Sequence, residues 1–360
     1  MKKYLLVLLS MIMVLSLCLS GCGSDGAPSS SAPSGSVNSA GTAEGDYEPF
    51  TIRIATAKAD TNNQSTSAYE LAEYLEAETN GKVTVEVYTN SALLSEDAML
   101  DGVRGHTTDI GIQSTGPYSG YVPEVAVHSL IGVFTSIEDQ AAAFEPEDGM
   151  LNYINGLIEE KLGIHTIGMI VDGGTDCLAN NHNPILTAED AKGLNFRAPN
   201  NEIALAISAI GGVPVTLSSS DAYTAIQNGV CDGVFCSSSS FLNNKFNEIV
   251  AYATNLPGTP INYVNIVVAQ DTWESWPESV RILIETKCAE IYEGTKTHEM
   301  EADAEEWARI EETCEVVYLT DEQIQAYLDV IRPEQLETLE KTLEPDSYAK
   351  IMEILEKYTF

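Results

Sequence analysis

Residues 186–235 read LTAEDAKGLNFRAPNNEIALAISAIGGVPVTLSSSDAYTAIQNGVCDGVF. Three short apolar runs, Leu194–Arg197, Val213–Val215 and Val230–Phe235, alternate with two stretches of helical periodicity, Ile203–Ile210 and Ala222–Gln227. Thr187 and Asp190 form a capping-box pattern for a short turn ahead of the first run. In that run Leu194 and Phe196 point to one face, Asn195 and Arg197 to the other. A guanidinium so placed, just before Pro199, is paired or waits for a partner, because an unmatched buried charge is too costly to keep.

The same alternation continues on both sides. Phe50–Ala55 reads as a strand, Ala68, Leu71, Ala72 and Leu75 as a helix stopped by Asn80-Gly81, and Lys82–Tyr88 as a second strand, making a β-α-β unit. Met99, Leu100 and Val103 lie on a helix before the strand Asp109–Ile112, and a helix over Met150–Leu162 leads into the strand His165–Val171. Beyond the strand Tyr263–Val268, Pro277 suits the first turn of a long helix through Val280, Leu283, Ile284, Cys288 and Ile291 and past Trp307. Thr320 and Gln323 cap a further helix through Ile324, Tyr327, Leu328 and Ile331, with Pro333 expected to end it. Alternating strands and helices predict α/β lobes with largely parallel sheets.

The chain has 360 residues, enough for two cores of ordinary size. Lys2 and Lys3 precede an apolar run, Tyr4–Leu19, too short for a membrane span, so residues 1–21 read as an export signal. Gly23–Asp46 is built almost entirely of Gly, Ser, Ala, Pro, Asn and Thr, the composition of a tether. Loss of Lys2 and Lys3 with the signal changes the net charge from −36 to −38, which excludes nucleic acid and anionic membrane faces as general partners and predicts a monomer.

Cys177, Cys231, Cys236, Cys288 and Cys314 have neither disulfide-framework nor zinc-knuckle spacing and read as small buried hydrophobes. The five histidines are scattered, and no metal or cofactor is expected. The acidic run Glu299–Glu315 lacks the pattern of a calcium loop and reads as the solvated face of a helix.

Two resemblances are specific. Leu19-Ser20-Gly21-Cys22 is similar to the lipobox of bacterial lipoproteins, which implies that Cys22 carries a lipid and that residues 22–48 tether the body to the membrane. The segment 186–235 resembles the signature region of the solute-binding proteins of tripartite ATP-independent periplasmic (TRAP) transporters. Lys192, Gly193, Leu194, Arg197 and Pro199 stand in its K-G-L-x-x-R-x-P strand. Tyr223, Ala225, Gln227, Gly229, Asp232 and Gly233 match its later motif, with Ala222, Ile226 and Cys231 as departures. The likeness extends over most of residues 50–330.

The resemblance implies a two-lobed periplasmic-binding-protein-like α/β fold with segment exchange between lobes and a long bracing helix. Lobe I is expected over residues 49–172 and 263–302, lobe II over 173–262 and 303–360. It implies an extracytoplasmic, lipid-anchored protein that captures a small organic acid for the two membrane subunits of a sodium-coupled permease. Arg197 is expected to grip a ligand carboxylate.

Three positions depart from the family. Asp176 stands where many relatives carry a second arginine, Ser219 where an aromatic is common, and Cys236 with Ser237 replaces an E-N-P-like triplet. A like charge near a bound carboxylate repels it, so Asp176 points away or the ligand brings an ammonium or hydroxyl to it. The smaller occupants imply a roomier or more polar pocket.

By matching position Gln113, Ser114, Thr115, Asn262 and Asn265 are further candidate cleft liners, while Tyr118, Tyr121 and Trp273 read as packing residues. Asp232 is both a motif residue and a candidate internal partner for Arg197. Two other functions remain open at this level: a ligand sensor reporting to a receptor, and an exported hydrolase using Cys236 or a serine of Ser237–Ser240, with His182 as base.

Overall fold

The computed structural model describes residues 47–134, 137–256 and 262–358. The export signal, Cys22 and residues 23–46 lie outside them. The first strands and helices follow the local patterns closely: β1 (Phe50–Thr56), α1 (Asn63–Glu78), β2 (Val83–Tyr88), α2 (Glu96–Arg104), β3 (Ile110–Ser114), α3 (Ile137–Phe144), α4 (Met150–Leu162) and β4 (Ile164–Asp172). Then come β5 (Asp176–Asn180), β6 (Asn195–Ala198), α5 (Asn201–Ala209), β7 (Val213–Thr216), α6 (Ser219–Gln227), β8 (Gly233–Ser237), α7 (Ser238–Asn243) and β9 (Tyr252–Leu256). The last part holds β10 (Asn262–Ala269), α8 (Gln270–Ser275), α9 (Glu278–Glu311), β11 (Glu315–Tyr318), α10 (Asp321–Thr342) and α11 (Pro345–Tyr358).

Two sheets form, in the orders β2-β1-β3-β10-β4 and β11-β9-β5-β8-β6-β7. Each is parallel except for one strand: β10 runs against both its neighbours in the first sheet, β5 against both of its own in the second. These exceptions are the strands by which the chain changes sheet, β4 to β5 and β9 to β10. That is the segment exchange expected of the fold.

Alternation along the strands sends side chains to a separate core on each sheet face. On β10, Val264, Ile266 and Val268 pack with Leu71, Leu75, Val280 and Ile284 under α1 and α9. Tyr263 and Val267 pack with Phe144, Ile154 and Ile158 on the other face. On β8, Val234 and Cys236 meet Trp307 and Ile310, whereas Phe235 meets Phe196, Ile203 and Ile207. All five described cysteines are buried and free, as small apolar residues are.

Both expected capping boxes form, at Thr187 and at Thr320. Two expectations fail. Pro333 does not end α10; it lies inside the helix, where it lacks the N–H for an i−4 bond. Burial of Tyr327, Leu328 and Ile331 before it, and of Gln335 and Leu339 after it, holds both halves in place. Nor does all of 303–360 belong with the second sheet, because Ile351, Ile354 and Leu355 of α11 enter the core of the first, beside Val103 and Phe144.

The Asp232-Gly233 motif has a packing reason. Gly233 pairs with Asn180, and a Cβ there would lie 2.0 Å from the Ala179 carbonyl oxygen of β5. Gly233→Ala is expected to cost about 2 to 3 kcal/mol, the price of overpacking against backbone. Urea unfolding with an unchanged midpoint would show that the β5–β8 pairing yields freely.

Candidate functional site

The strands between which the chain changes sheet end and begin at one edge of each sheet. Residues 173–175 join the end of β4, Asp172, to the start of β5, Asp176, and residues 257–261 join Leu256 to Asn262. A link of three residues cannot separate Asp172 from Asp176 by more than about 14 Å. At the same edges end β1 and β3 in the first sheet and β6, β7 and β8 in the second. The carboxyl ends of the parallel strands of both lobes therefore meet, and in open α/β sheets that is where ligands bind.

Helix α9 braces this junction. On the first lobe, Val171 N–H donates to Thr295 Oγ1 at 3.1 Å, and Asn63 Nδ2 donates to Glu299 Oε1. On the second, Asp303 Oδ1 accepts from Thr175 N–H at 2.8 Å and from Ser238 Oγ at 2.9 Å. Ser238 Oγ also lies 2.7 Å from Glu306 Oε2, so its one proton is shared between the two acids, and Trp307 Nε1 donates to Thr175 Oγ1 at 2.8 Å. Gly174 sits so close that a Cβ would meet Ser238 Oγ at 2.4 Å and Asp303 Oδ1 at 2.5 Å. The acidic run expected to be a solvated face thus turns three of its acids inward. Burial, reinforced by the charges of Asp172 and Glu306, pushes the Glu299 carboxyl up to about 7.

Arg197 lies in β6 between Val215 of β7 and Val234 of β8, and is only 3% exposed. Its Nε donates to the Leu217 carbonyl at 2.9 Å, which orients the guanidinium at the end of the strand. Burial lowers its pKa from the ordinary value, although a guanidinium stays charged in proteins. Just beyond it Asn200 caps α5, accepting from Ile203 N–H at 2.9 Å.

The remaining sequence candidates divide. Asp232 does not belong to this edge. It precedes β8 at the opposite end, where its carboxylate accepts from Asn195 N–H at 2.8 Å and Asn195 Nδ2 at 2.9 Å and faces His182 Nε2 at 2.9 Å. Burial opposes its ionisation, but those hydrogen bonds outweigh it and hold the carboxylate below its usual range. Neither a cleft contact nor a partnership with Arg197 follows from that position.

Asp176 does stand at the edge, across from Ser237 and Leu256. Ser237 caps α7, accepting from Ser240 N–H at 3.3 Å. Cys236 is buried one residue back, its thiol pushed far up by burial despite the nearby Arg197 charge. The side chain of Ser219 lies outside the described residues. His182 and Cys236 occupy opposite ends of β8, so the hydrolase dyad is not assembled. Among the described residues no three His, Cys, Asp or Glu side chains are placed to hold a metal ion.

On the first lobe Asn262 is exposed and pairs with Asp172, while the Ser114 amide donates to Glu96 Oε1 at 3.0 Å. Thr115 lines a cavity of about 180 Å³ with Ser119 and Ser129 of its own lobe and Asn200, Asn201 and Glu202 of the other. Gln113 and Asn265 are brought side by side, paired across β3 and β10. Both are fully buried; the Asn265 amide has no hydrogen-bond partner, and Gln113 has only a weak one in the Tyr118 hydroxyl.

The sequence reading missed Lys58, which lies just past β1 and pairs with Glu96 at 3.4 Å; a basic residue following the first strand of so acidic a chain was the available signal. Tyr121, read as packing, is 52% exposed.

Two α/β lobes that exchange strands, share one bracing helix and bury an arginine at their facing edges define a two-lobed solute-binding protein. The chain belongs to the bacterial extracellular solute-binding proteins of family 7, whose model matches residues 54–342. The C4-dicarboxylate-binding periplasmic protein DctP of Rhodobacter capsulatus is 27% identical over 300 residues, 82% of this chain and 88% of that protein. The 2,3-diketo-L-gulonate-binding periplasmic protein YiaO of Escherichia coli K12 is 26% identical over 183 residues, 50% of this chain and 54% of that one.

Among solved structures, a TRAP periplasmic solute binding protein from Ochrobactrum anthropi has a TM-score of 0.78 at 21% identity, covering 86% of this chain and 96% of that one. One from Sulfitobacter sp. NAS-14.1 with bound β-D-galacturonate has a TM-score of 0.73 at 20% identity, covering 86% and 99%. The family is extracellular, and among the described residues no helix is long and apolar enough to cross a membrane.

Proposed function

We propose that this protein captures a small carboxylate-bearing solute between its lobes, holds the carboxylate on Arg197 and delivers the solute to the membrane subunits of a TRAP transporter driven by sodium. The observation that carries the reading is a guanidinium 3% exposed at the edge where the carboxyl ends of two sheets meet. The planar fork of arginine matches a carboxylate through two parallel charge-assisted hydrogen bonds, which a lysine cannot reproduce. Solutes named for the relatives, C4-dicarboxylates, 2,3-diketo-L-gulonate and β-D-galacturonate, share a carboxylate and little else.

On this reading Gln113, Ser114, Thr115, Asn262 and Asn265 face the solute from lobe I, and Asp176, Ser219, Cys236 and Ser237 flank Arg197 on lobe II. Lobe I comprises residues 49–172 and 263–302 together with α11. The protein acts by binding, without chemistry of its own. It is a monomer held outside the cell membrane by a lipid on Cys22 and the tether after it.

Closure of the lobes turns on the segments that connect them, residues 173–175 among those described. Thermal-shift screening of the full chain, in mild detergent, against organic, amino, hydroxy and sugar acids tests the reading. At least one carboxylate is expected to raise the melting point, because a ligand that binds only the native state stabilises it. A panel in which neutral sugars shift the melting point and no acid does would overturn it.

A further inference from the structure

Five side chains at the crevice end of the first lobe carry eight buried polar atoms that make no close hydrogen bond. They are the amide O and N of Gln113 and Asn265, the hydroxyls of Tyr118 and Tyr263, and both ring nitrogens of His128. None of the five residues is more than 3% exposed. They come from separate elements: β3, the turn Gly116–Tyr118 after it, the turn Pro123–Ser129, and the first residues of β10. Alternation puts Gln113, Tyr263 and Asn265 on one sheet face, because Ile112, Val264 and Ile266 fill the core on the other. The Tyr118 hydroxyl lies within weak hydrogen-bonding reach of Gln113 and the Tyr263 hydroxyl of Tyr292, and the His128 ring meets that of Tyr263 edge-on at 5.9 Å. The two turns also supply Ser119 and Ser129 to the cavity of about 180 Å³ between the lobes.

Buried polar groups left unpaired are expensive, and proteins keep few of them. Both amide atoms of Asn265 and both ring nitrogens of His128 have no partner at all, and they are left for a bound molecule to satisfy. The cluster is also uncharged. Burial holds the His128 pKa down at about 4, so the ring is neutral at ordinary pH and offers one donor and one acceptor. Burial likewise raises the Tyr118 and Tyr263 phenols. Two carboxylates stand behind the cluster, Glu96 by Tyr118 and Glu145 by Tyr263. Each already faces a lysine, Lys58 at 3.4 Å and Lys296 at 2.5 Å.

The geometry points to a neutral recognition subsite formed by Gln113, Asn265, Tyr118, Tyr263 and His128, which takes the hydroxylated, uncharged part of the solute. This rests on Arg197 holding the carboxylate as proposed above. The preferred solute is then a monocarboxylate with a polyhydroxy tail, since a second carboxylate would meet amides and phenols where it needs a cation.

Calorimetric titration of D-gluconate and of succinate into the full chain tests this, with Arg197→Ala, Asn265→Leu and Gln113→Met alongside. Gluconate is expected to bind at least about 10-fold more tightly than succinate. Asn265→Leu and Gln113→Met are each expected to lose roughly 10- to 100-fold in gluconate affinity, because the hydroxyls they serve are left unpaired. Without solute both variants should melt about 2 to 4 °C higher, because an apolar isostere relieves unpaired amide atoms. A side chain that served only the fold would move the melting point the other way.

Succinate binding as tightly as gluconate, or a lower melting point in both variants, overturns the subsite and leaves the carboxylate reading standing if Arg197→Ala still abolishes binding. Unchanged affinity in Arg197→Ala, or no binding of either acid to the wild type, overturns the carboxylate reading and the subsite with it.

Discussion

Replacing Arg197 with alanine is expected to cost about 2 to 5 kcal/mol of solute binding, the scale of a buried charge pair broken on one side. The physical reason is the site rather than the charge count. At 3% exposure the guanidinium has already lost most of its water, and the Leu217 carbonyl has fixed its orientation at 2.9 Å, so little of its attraction for a carboxylate is spent on desolvation or ordering. Arg197→Lys keeps the charge and loses the fork, so it should recover only a small part of the affinity. Calorimetry on variants whose melting points show them folded gives the answer, and wild-type affinity in the alanine variant would remove the central contact of the site.

The second large effect concerns Glu299. Its carboxyl is 6% exposed and titrates at about 7 in the fold against 4.5 in the unfolded chain. Between those values the native state binds the extra proton, so stability from this group is complete below about pH 4.5 and is lost as pH rises to about 7. Beyond that it stays lost. The shift amounts to about 3 kcal/mol. Glu299→Gln keeps an acceptor for Asn63 Nδ2 and removes the charge facing Asp172 and Glu306. The variant is expected to match the wild type at pH 4 and to exceed it by up to about 3 kcal/mol at pH 8 in urea unfolding. Parallel pH profiles for the two proteins would show that Glu299 is ionised in the fold at little cost.

Legibility followed the range of the interactions. Helix α4, expected around Met150 to Leu162, spans those residues, and both capping boxes formed where Thr187 and Thr320 announced them. Strands β5, β9 and β11 went unread; they are four or five residues long and carry no clean alternation, and only their partners across the sheet make them strands. Pro333 misled because the rule against interior proline is local, whereas the packing that overrides it comes from distant segments. The strand that carries Arg197 was legible from alternation and from the proline after it. The engagement of Asp232 with Asn195 and His182 was not, since it depends on which end of β8 the motif occupies.

The alternation of strand and helix over β1–β3 and β6–β8, the two capped turns and the strand that carries Arg197 were determined by the sequence alone, because each depends on residues a few positions apart. Only the tertiary structure decided that the two sheets meet at their carboxyl edges, that Gln113 pairs beside Asn265 with no partner for the Asn265 amide, and that Glu299 holds its proton near neutral pH. Those are consequences of contacts between segments far apart in the chain and of the water they exclude, and desolvation belongs to a place in the fold rather than to a residue in a chain.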